Sequence, residues 1–352
     1  MIESLTINQV YYGYMRGMSC PHSFSSIFVN TTHPNGTVTM ATHAIRISST
    51  LAALACAFMT MGSAQAATLN VGPHQTYKTP SDAARVVKAG DTVKIKPGTY
   101  YNCAVWTKNN ITIEGAGPGV VLTDTTCEGK AIFVVHANDV TVNNITFQRA
   151  VVPDGNGAGI RAEGVNLTLN NDKFLHNQDG ILAADSPKSS IIIRNSDFVH
   201  NGVCLRACAH GIYVGHIALL KIEHSRFYDT QQGHHIKSRA ARTVLIDNNI
   251  EDGPNGTASY EVDIPNGGAL VMIGNVLEKG PKNQNHTTAV MIGEEGVTQP
   301  TPELLFKDNT FTNDGPPTDF VRNITATPAQ LINNTFKGNA IIPLVGAGSV
   351  VH

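Results

Sequence analysis

The chain has 352 residues, which is enough for one large domain or two ordinary ones. Only 15% of the residues are charged and 6% are aromatic, with 32 glycines and a formal net charge of -2. This composition supplies enough apolar side chains for a sizeable core and excludes a disordered chain, and the balanced charge gives no support to a nucleic-acid partner.

The beginning of the chain is predicted to lie outside the folded domain. Residues 1–39 are rich in Ser, Thr and His without periodicity, and we expect an unstructured upstream extension. Residues 40–66 contain Arg46, then a short apolar stretch, then the small-x-small tripeptide Ala64-Gln65-Ala66. This order is typical of a secretory signal peptide, and the apolar stretch is too short for a stop-transfer helix. Residues 67–352 would then be the exported protein, secreted or periplasmic, with no membrane span after signal cleavage.

Four cysteines remain after this cleavage: Cys103, Cys127, Cys204 and Cys208. An even number of cysteines in an oxidising compartment favours disulfides over a metal site. Cys103 and Cys127 are separated by about one period of the repeat described next, so they would lie on neighbouring turns. Cys204 and Cys208 would close a small loop. A zinc site is disfavoured because no second Cys/His pair has ligand spacing.

One short phrase recurs from Val140 onward, as in VTVNNITF, LTLNNDKF, IIIRNSDF and LKIEHSRF. Its last apolar residue falls at Phe147, Phe174, Phe198, Phe227, Ile250, Leu277, Phe311 and Phe336. The intervals are 27, 24, 29, 23, 27, 34 and 25 residues. Self-similarity at this period, in short alternating strands with Asn and Gly at the corners, predicts a β-solenoid of stacked coils. Asn residues would form ladders at tight bends, where Asn tolerates a left-handed backbone: Asn144, Asn171, Asn195, Asn248, Asn275, Asn309 and Asn334.

This phrase resembles the right-handed parallel β-helix of the pectate-lyase-like superfamily. The start of the exported chain is similar to the N-terminal cap of that family, with a short amphipathic helix over Ser81 to Lys88 and an N-cap at Thr79 or Ser81. The resemblance covers roughly Thr68 to Gly338 and implies an all-β, single-stranded right-handed parallel β-helix over 67–352. The superfold hosts lyases, hydrolases, epimerases and adhesins, so the fold alone does not select an activity.

The strand that precedes each phrase can be aligned through its inward residue, and period-2 alternation then identifies the outward ones. From Lys188 to Arg242 the chain has eight Lys and Arg against three Asp and Glu, and six of the fourteen His. A solvated face and a site for an anionic ligand both fit this stretch. One outward column is predicted to contain Arg161, Leu182, Tyr213, Lys237 and Asp263. A second is predicted to contain Ala158, Asp179, His210, His234 and Glu261, and Arg239 lies above Gly215.

The resemblance implies chemistry on an acidic polysaccharide. Related lyases eliminate across a uronate with a Lys or Arg base, often with calcium held by carboxylates. By this analogy Lys237, in HHIKSR, is the base, with its pKa lowered by Arg239 and two histidines. The other predicted site residues fall into three groups. Arg239, His210, Tyr213 and His234 are predicted to be catalytic, Arg161, Asp179 and Arg242 to bind substrate, and Glu261, Asp263 and Asn266 to hold calcium.

The motif is nearest to the calcium-dependent branch with alginate lyases and chondroitinase B. The chain departs from that branch at Pro265 to Gly268, where PNGG replaces a further basic motif. Other functions remain open. They are a C5-epimerase of a uronate polymer, a hydrolase with paired carboxylates such as Asp179 and Asp263, and a non-catalytic glycan-binding or cell-envelope protein. The expected state is a monomer.

Overall fold

The computed structural model describes residues 66–351. The predicted extension 1–39 and the predicted signal peptide, except for Ala66, lie outside these residues. Within the described part, no helix is long and apolar enough to cross a membrane.

Three parallel sheets run along the molecule; each of ten complete coils contributes one strand to each sheet, and sheet 1 has one further strand at each end. Sheet 1 has twelve strands: Thr68–Val71, Thr92–Ile95, Thr112–Gly115, Val140–Asn143, Leu167–Asn170, Ser186–Arg194, Ile217–Glu223, Arg242–Ile246, Ala269–Ile273, Leu304–Lys307, Ala329–Ile332 and Gly348–Val351. Sheet 2 has ten strands: Ala104–Trp106, Ala131–Val135, Ala158–Ala162, Asp179–Ala183, Ile212–Val214, His234–Ser238, Tyr260–Ile264, Thr288–Ile292, Thr318–Asn323 and Ile341–Gly346. Sheet 3 has ten strands: Gly98–Tyr100, Val120–Thr123, Thr146–Gln148, Lys173–Leu175, Asp197–Val199, Arg226–Tyr228, Asn249–Glu251, Val276–Lys279, Thr310–Asn313 and Thr335–Gly338. The predicted parallel β-helix is confirmed.

The core consists of stacked columns of like residues, because each strand pairs in register with its equivalent one coil away. The repeated apolar position pairs as the phrase predicts, from Phe147 with Phe174 to Phe311 with Phe336. Between Phe147 and Phe227 the rings stack face to face, with centroids 4.4 to 5.3 Å apart. These separations match the spacing of about 4.8 Å between neighbouring strands.

The asparagine ladders are present but occupy two different positions. Asn144, Asn171 and Asn195 have positive φ, as predicted. Asn275, by contrast, follows the positive-φ residue Gly274 and points into the core. The prediction of a left-handed backbone was therefore wrong for Asn248, Asn275, Asn309 and Asn334. Each of the first three donates its backbone N–H to the side-chain oxygen of the next, over 2.9 to 3.0 Å.

The N-terminal cap contains helix α1, Pro80–Ala84, which is shorter than the predicted Ser81 to Lys88. Thr79 is the N-cap and forms a capping box with Asp82. Beyond the helix, the carboxylate of Asp91 accepts the backbone N–H of Lys88, at 2.8 Å. Helix α1 packs against the strands Thr68–Val71 and Ala104–Trp106, so it covers the first coil.

Both predicted disulfides are present. Cys103 and Cys127 join with their Cα atoms 5.5 Å apart. Cys204 and Cys208 join the two strands of a small antiparallel hairpin, Val203–Cys204 and Cys208–Ala209. That hairpin precedes the sheet 2 strand Ile212–Val214.

The buried asparagine ladder should contribute measurably to stability. Asn275→Ala removes the acceptor of the Asn248 N–H and the donor to the Leu245 carbonyl, both in the core. Each buried polar group left unpaired costs about 1–3 kcal/mol, so we expect the free energy of unfolding measured in urea to fall by at least that amount. Asn171→Gly is the matched control, since Asn171 is exposed and glycine accepts its positive φ. An equal loss in both variants would contradict this account.

Candidate active site

The outward column of sheet 2 has the predicted register. Arg161 pairs with Leu182, Leu182 with Tyr213, Tyr213 with Lys237, and Lys237 with Asp263. The parallel pairing thus brings side chains that are distant in sequence onto one outer surface.

The centre of this surface is a group of five side chains, which we call the cation cluster: Tyr213, Lys237, Arg239, Asp263 and Glu295. Lys237 Nζ lies 2.9 Å from Asp263 Oδ2 and 2.7 Å from Glu295 Oε1. Arg239 Nη2 lies 2.6 Å from Glu295 Oε2, and Arg239 Nε donates to the Tyr213 hydroxyl at 3.0 Å. One carboxylate therefore bridges two cations, with a tyrosine hydroxyl beside them.

The predicted lowering of the pKa of Lys237 was wrong. Burial acts to lower the pKa of this amine, but the carboxylates of Asp263 and Glu295 outweigh burial and raise it. The lowering was predicted from Arg239 and two histidines, whereas Asp263, predicted in the same column as a calcium ligand, and Glu295 contact the amine directly. Burial also raises the pKa of Asp263 to about 6, although Lys237 opposes the rise.

A second column beside the cluster consists of Asp179, His210, His234 and Tyr260. Asp179 Oδ1 accepts the backbone N–H of His210 at 2.7 Å. His210 Nδ1 accepts the N–H of His234 at 3.0 Å, and His234 Nδ1 accepts the N–H of Tyr260 at 3.2 Å. The rings of His210, His234 and Tyr260 stack with centroids 4.9 Å apart. The side chains of Asp179, His210 and His234 thus each accept a backbone N–H of the next coil.

These hydrogen bonds fix the protonation of both histidines. Because Nδ1 accepts a backbone N–H, the neutral ring must carry its proton on Nε2. Burial, with the nearby Lys237 and Arg239, lowers the pKa of His210 to about 3. Burial also lowers the pKa of His234 well below its ordinary value, with help from His210 and Lys237. Both rings are therefore hydrogen-bond donors at neutral pH, and neither has a free lone pair with which to act as a base. Burial raises the pKa of Asp179 to about 8, although it accepts the His210 N–H.

The prediction that Glu261 points outward was wrong. His234 pairs with Tyr260, so Tyr260 takes the place expected for Glu261 in the second column. Glu261 has no exposed surface, and its carboxylate lies 3.4 Å from Lys279 Nζ inside the coil. Strict alternation fails here because the second residue of these strands turns inward, as His235 also does, with Thr230 and Asp252 as its partners. Burial raises the pKa of Glu261 well above its ordinary value, opposed by Lys279.

The three residues predicted to hold calcium do not form a calcium site. Glu261 lies on the inner side of its strand, and Asn266 Oδ1 accepts a hydrogen bond from Arg239. Among the described residues no hydrogen-bond donor reaches the buried Asp263 Oδ1, while Lys237 Nζ lies 2.9 Å and His234 Nε2 3.5 Å from the other oxygen of that carboxylate. Glu128, His136 and Glu163 do place ligand atoms within 4.8 Å of one another. Lys130 already pairs with both glutamates of that acidic group.

Glu295 is the main residue that the sequence argument missed. It lies in the insertion after the strand Thr288–Ile292, within the longest interval of the repeat. The neighbouring Glu294 accepts the Tyr260 hydroxyl at 2.6 Å, so the insertion covers both columns. The long interval and its adjacent glutamates were visible in the sequence, but periodicity assigns no direction to a residue in an insertion.

Arg161 and Arg242, the two arginines predicted to bind substrate, lie apart from the cation cluster. Arg161 is in the outward column, three coils from Lys237, and pairs with Glu163 at 3.2 Å. Arg242 is on sheet 1 and pairs with Glu303 at 2.8 Å. Arg161 thus shares the surface of the cluster, whereas Arg242 does not.

Comparison with solved structures shows the fold. The structure of the pectate lyase Pel9A matches with a TM-score of 0.56 and 15% identity, over 81% of this chain and 77% of that chain. An alginate lyase from Paenibacillus sp. str. FPU-7 matches with a TM-score of 0.54 and 18% identity, over 80% of this chain and 99% of that chain. Both are right-handed parallel β-helices, and this chain shares their architecture. No protein-family model matches the chain, and no curated protein does.

The histidine column makes a prediction for nitrogen NMR. We expect His210 and His234 to remain neutral, with the proton on Nε2, throughout pH 5–8, since protonation of Nδ1 would require breaking a backbone hydrogen bond. Ring ¹⁵N shifts in selectively labelled protein measure this directly. In the urea-unfolded chain the same rings should titrate near their ordinary pKa of about 6.5. Titration of either ring near that value in the folded protein would contradict the assignment.

Proposed function

We propose that this protein is an exported carbohydrate-active enzyme that cleaves a uronate-containing polysaccharide by β-elimination. The observation that carries the proposal is the shared carboxylate of the cation cluster, where Lys237 and Arg239 hold the two oxygens of Glu295. A uronate carboxylate fits the Arg239 guanidinium in place of Glu295, with the Lys237 amine beside it. The two structural neighbours, a pectate lyase and an alginate lyase, support the choice of polymer class.

The chemistry requires three groups. A cation must neutralise the uronate carboxylate so that the proton on C5 becomes acidic, a base must remove that proton, and a donor must protonate the departing oxygen. The electron pair of the C5–H bond then forms the C4–C5 double bond, and the C4–O bond breaks. Arg239 is the neutralising cation and Lys237, as the free amine, is the base. The Tyr213 hydroxyl accepts from Arg239 Nε and keeps its own proton to donate to the leaving oxygen.

The remaining groups of the surface orient the substrate. His210 and His234 donate through Nε2–H to sugar oxygens, and Arg161 contacts the polymer three coils away. The cations of the cluster supply the charge neutralisation themselves, so no step requires calcium at this site.

Export is the remaining part of the proposal. Residues 40–66 act as the signal peptide, and the two disulfides are typical of proteins in an oxidising compartment.

The first test is ultraviolet absorbance near the band of unsaturated uronates, during incubation with pectate, alginate and other uronate polymers. We expect absorbance to rise with the wild type. The rate of this rise should be lower by roughly a hundredfold or more for Lys237→Ala, because general-base catalysis supplies a rate gain of this size. The Arg242→Ala variant is the control, because Arg242 lies on another sheet.

Four outcomes would overturn parts of this proposal. Turnover retained in Lys237→Ala would exclude Lys237 as the base. Proton exchange at C5 without cleavage would identify an epimerase, and binding without any turnover would identify a glycan-binding protein. Turnover abolished by EDTA would show that a metal is required and would overturn the role given to Arg239.

The pH dependence gives a second prediction. The ammonium form of Lys237 cannot accept a proton, so kcat/KM should increase with pH through the raised pKa of this residue. Asp263→Asn removes one of the anions that raise this pKa, so the rising limb should move to lower pH. Lys130→Ala, in the separate acidic group, should leave the limb in place. If kcat/KM rose over the same pH range in Asp263→Asn as in the wild type, the titration of Lys237 would be excluded as the cause of that rise.

A further inference from the structure

We propose that Glu295 is an internal ligand of the anion site and that any carboxylate ligand must displace it. The site is the same as in the proposed function, and the identity of the ligand as a uronate rests on that function. The displacement itself rests only on the contacts of Glu295.

The carboxylate of Glu295 occupies the anion position that an incoming carboxylate would need. Its two oxygens lie 2.7 Å from Lys237 Nζ and 2.6 Å from Arg239 Nη2. Charge-assisted hydrogen bonds of this length are among the strongest in proteins. A second carboxylate cannot make the same two bonds while Glu295 remains in place.

The backbone of the insertion is fixed, so the side chain of Glu295 is the part that moves. The Glu295 N–H donates to the carbonyl of Pro265 at 3.0 Å, and the N–H groups of Thr298 and Gln299 donate to the carbonyl of Asn266 at 3.1 and 3.0 Å. The Gln299 side chain also donates to the Arg239 carbonyl at 2.6 Å. With the bond from the Gly293 N–H to the Ile264 carbonyl at 2.9 Å, these bonds hold the insertion against the coil on both sides of Glu295.

The difference in exposure shows that Glu295 can leave towards solvent. Its side chain is 41% exposed, whereas those of Lys237 and Arg239 are 11% and 15% exposed. Rotation about the side-chain bonds of Glu295 takes its carboxylate into water without movement of the cations.

The cations retain other partners when Glu295 leaves, so the displacement is reversible. Lys237 keeps Asp263 at 2.9 Å, and Arg239 keeps the Tyr213 hydroxyl and the side chain of Asn266. A ligand without a negative charge would nevertheless remove an anion from two cations and return none. A neutral ester of the same sugar therefore leaves Glu295 in place, whereas a free carboxylate displaces it.

The test compares Glu295→Gln with Glu294→Gln. Both variants lose one negative charge from the same insertion, but Glu294 contacts the Tyr260 hydroxyl and no cation of the cluster. The probes are sulfate, trigalacturonate, triguluronate and methyl-esterified trigalacturonate, titrated at neutral pH and low salt by calorimetry with the full chain. Thermal melting of each variant establishes that it is folded.

We expect Glu295→Gln to bind sulfate and the free trisaccharides on the order of tenfold more tightly than the wild type, the change that about 1.4 kcal/mol produces. Glu294→Gln should stay close to the wild type, and the methyl ester should gain least. An equal gain in both variants, or no gain in Glu295→Gln, would overturn the proposal.

The two proposals fail in different ways. Tighter sulfate binding by Glu295→Gln, with no uronate bound by any form, would support the internal ligand and overturn the uronate function. Uronate turnover by the wild type, with unchanged affinity in Glu295→Gln, would support the function and overturn the internal ligand.

Discussion

The register between neighbouring coils is the constraint on which the rest of the structure depends. Parallel pairing stacks equivalent residues about 4.8 Å apart, so the inward or outward direction of a side chain repeats at the equivalent position of each coil. A shift by one residue would turn Lys237 into the core and the apolar Ile236 to the surface. The cost of burying an unpaired ammonium opposes that shift. The apolar and charged positions of the strand His234–Ser238 therefore specify the same register.

This constraint explains which parts of the site could be predicted from the sequence. The column from Arg161 to Asp263 follows from alternation and the repeat, and the structure has it in that order. Alternation fails for Glu261, because the second residue of its strand turns inward. The position of Lys279, which neutralises Glu261 from sheet 3, depends on a contact between sheets that no single strand encodes. Glu295 lies in an insertion, where the repeat supplies no reference position.

A column of hydrogen-bonding side chains gives the site its second property, which is rigidity. Asp179, His210 and His234 each accept a backbone N–H from the next coil, at the start of the sheet 2 strands. A buried N–H without an acceptor would be costly, so this role alone accounts for polar residues in these positions. The same bonds leave Nε2–H of both histidines available as donors. A structural requirement therefore fixes the chemistry that the histidines can offer, which residue type alone did not reveal.

The anions of the cation cluster are also explained by a structural requirement, which is the pairing of buried charges. Lys237 and Arg239 are close together and mostly buried, and such a pair requires anions when no ligand is bound. Asp263 supplies one anion from the next coil, and Glu295 supplies the other from the insertion. Their presence raises the pKa of Lys237, which opposes its use as a base in the free protein. Displacement of Glu295 by a substrate that places its carboxylate on Arg239 would remove one of these anions from Lys237, and the pKa of the amine would fall. Under the proposed function, substrate binding would then shift Lys237 towards the free amine that the elimination requires.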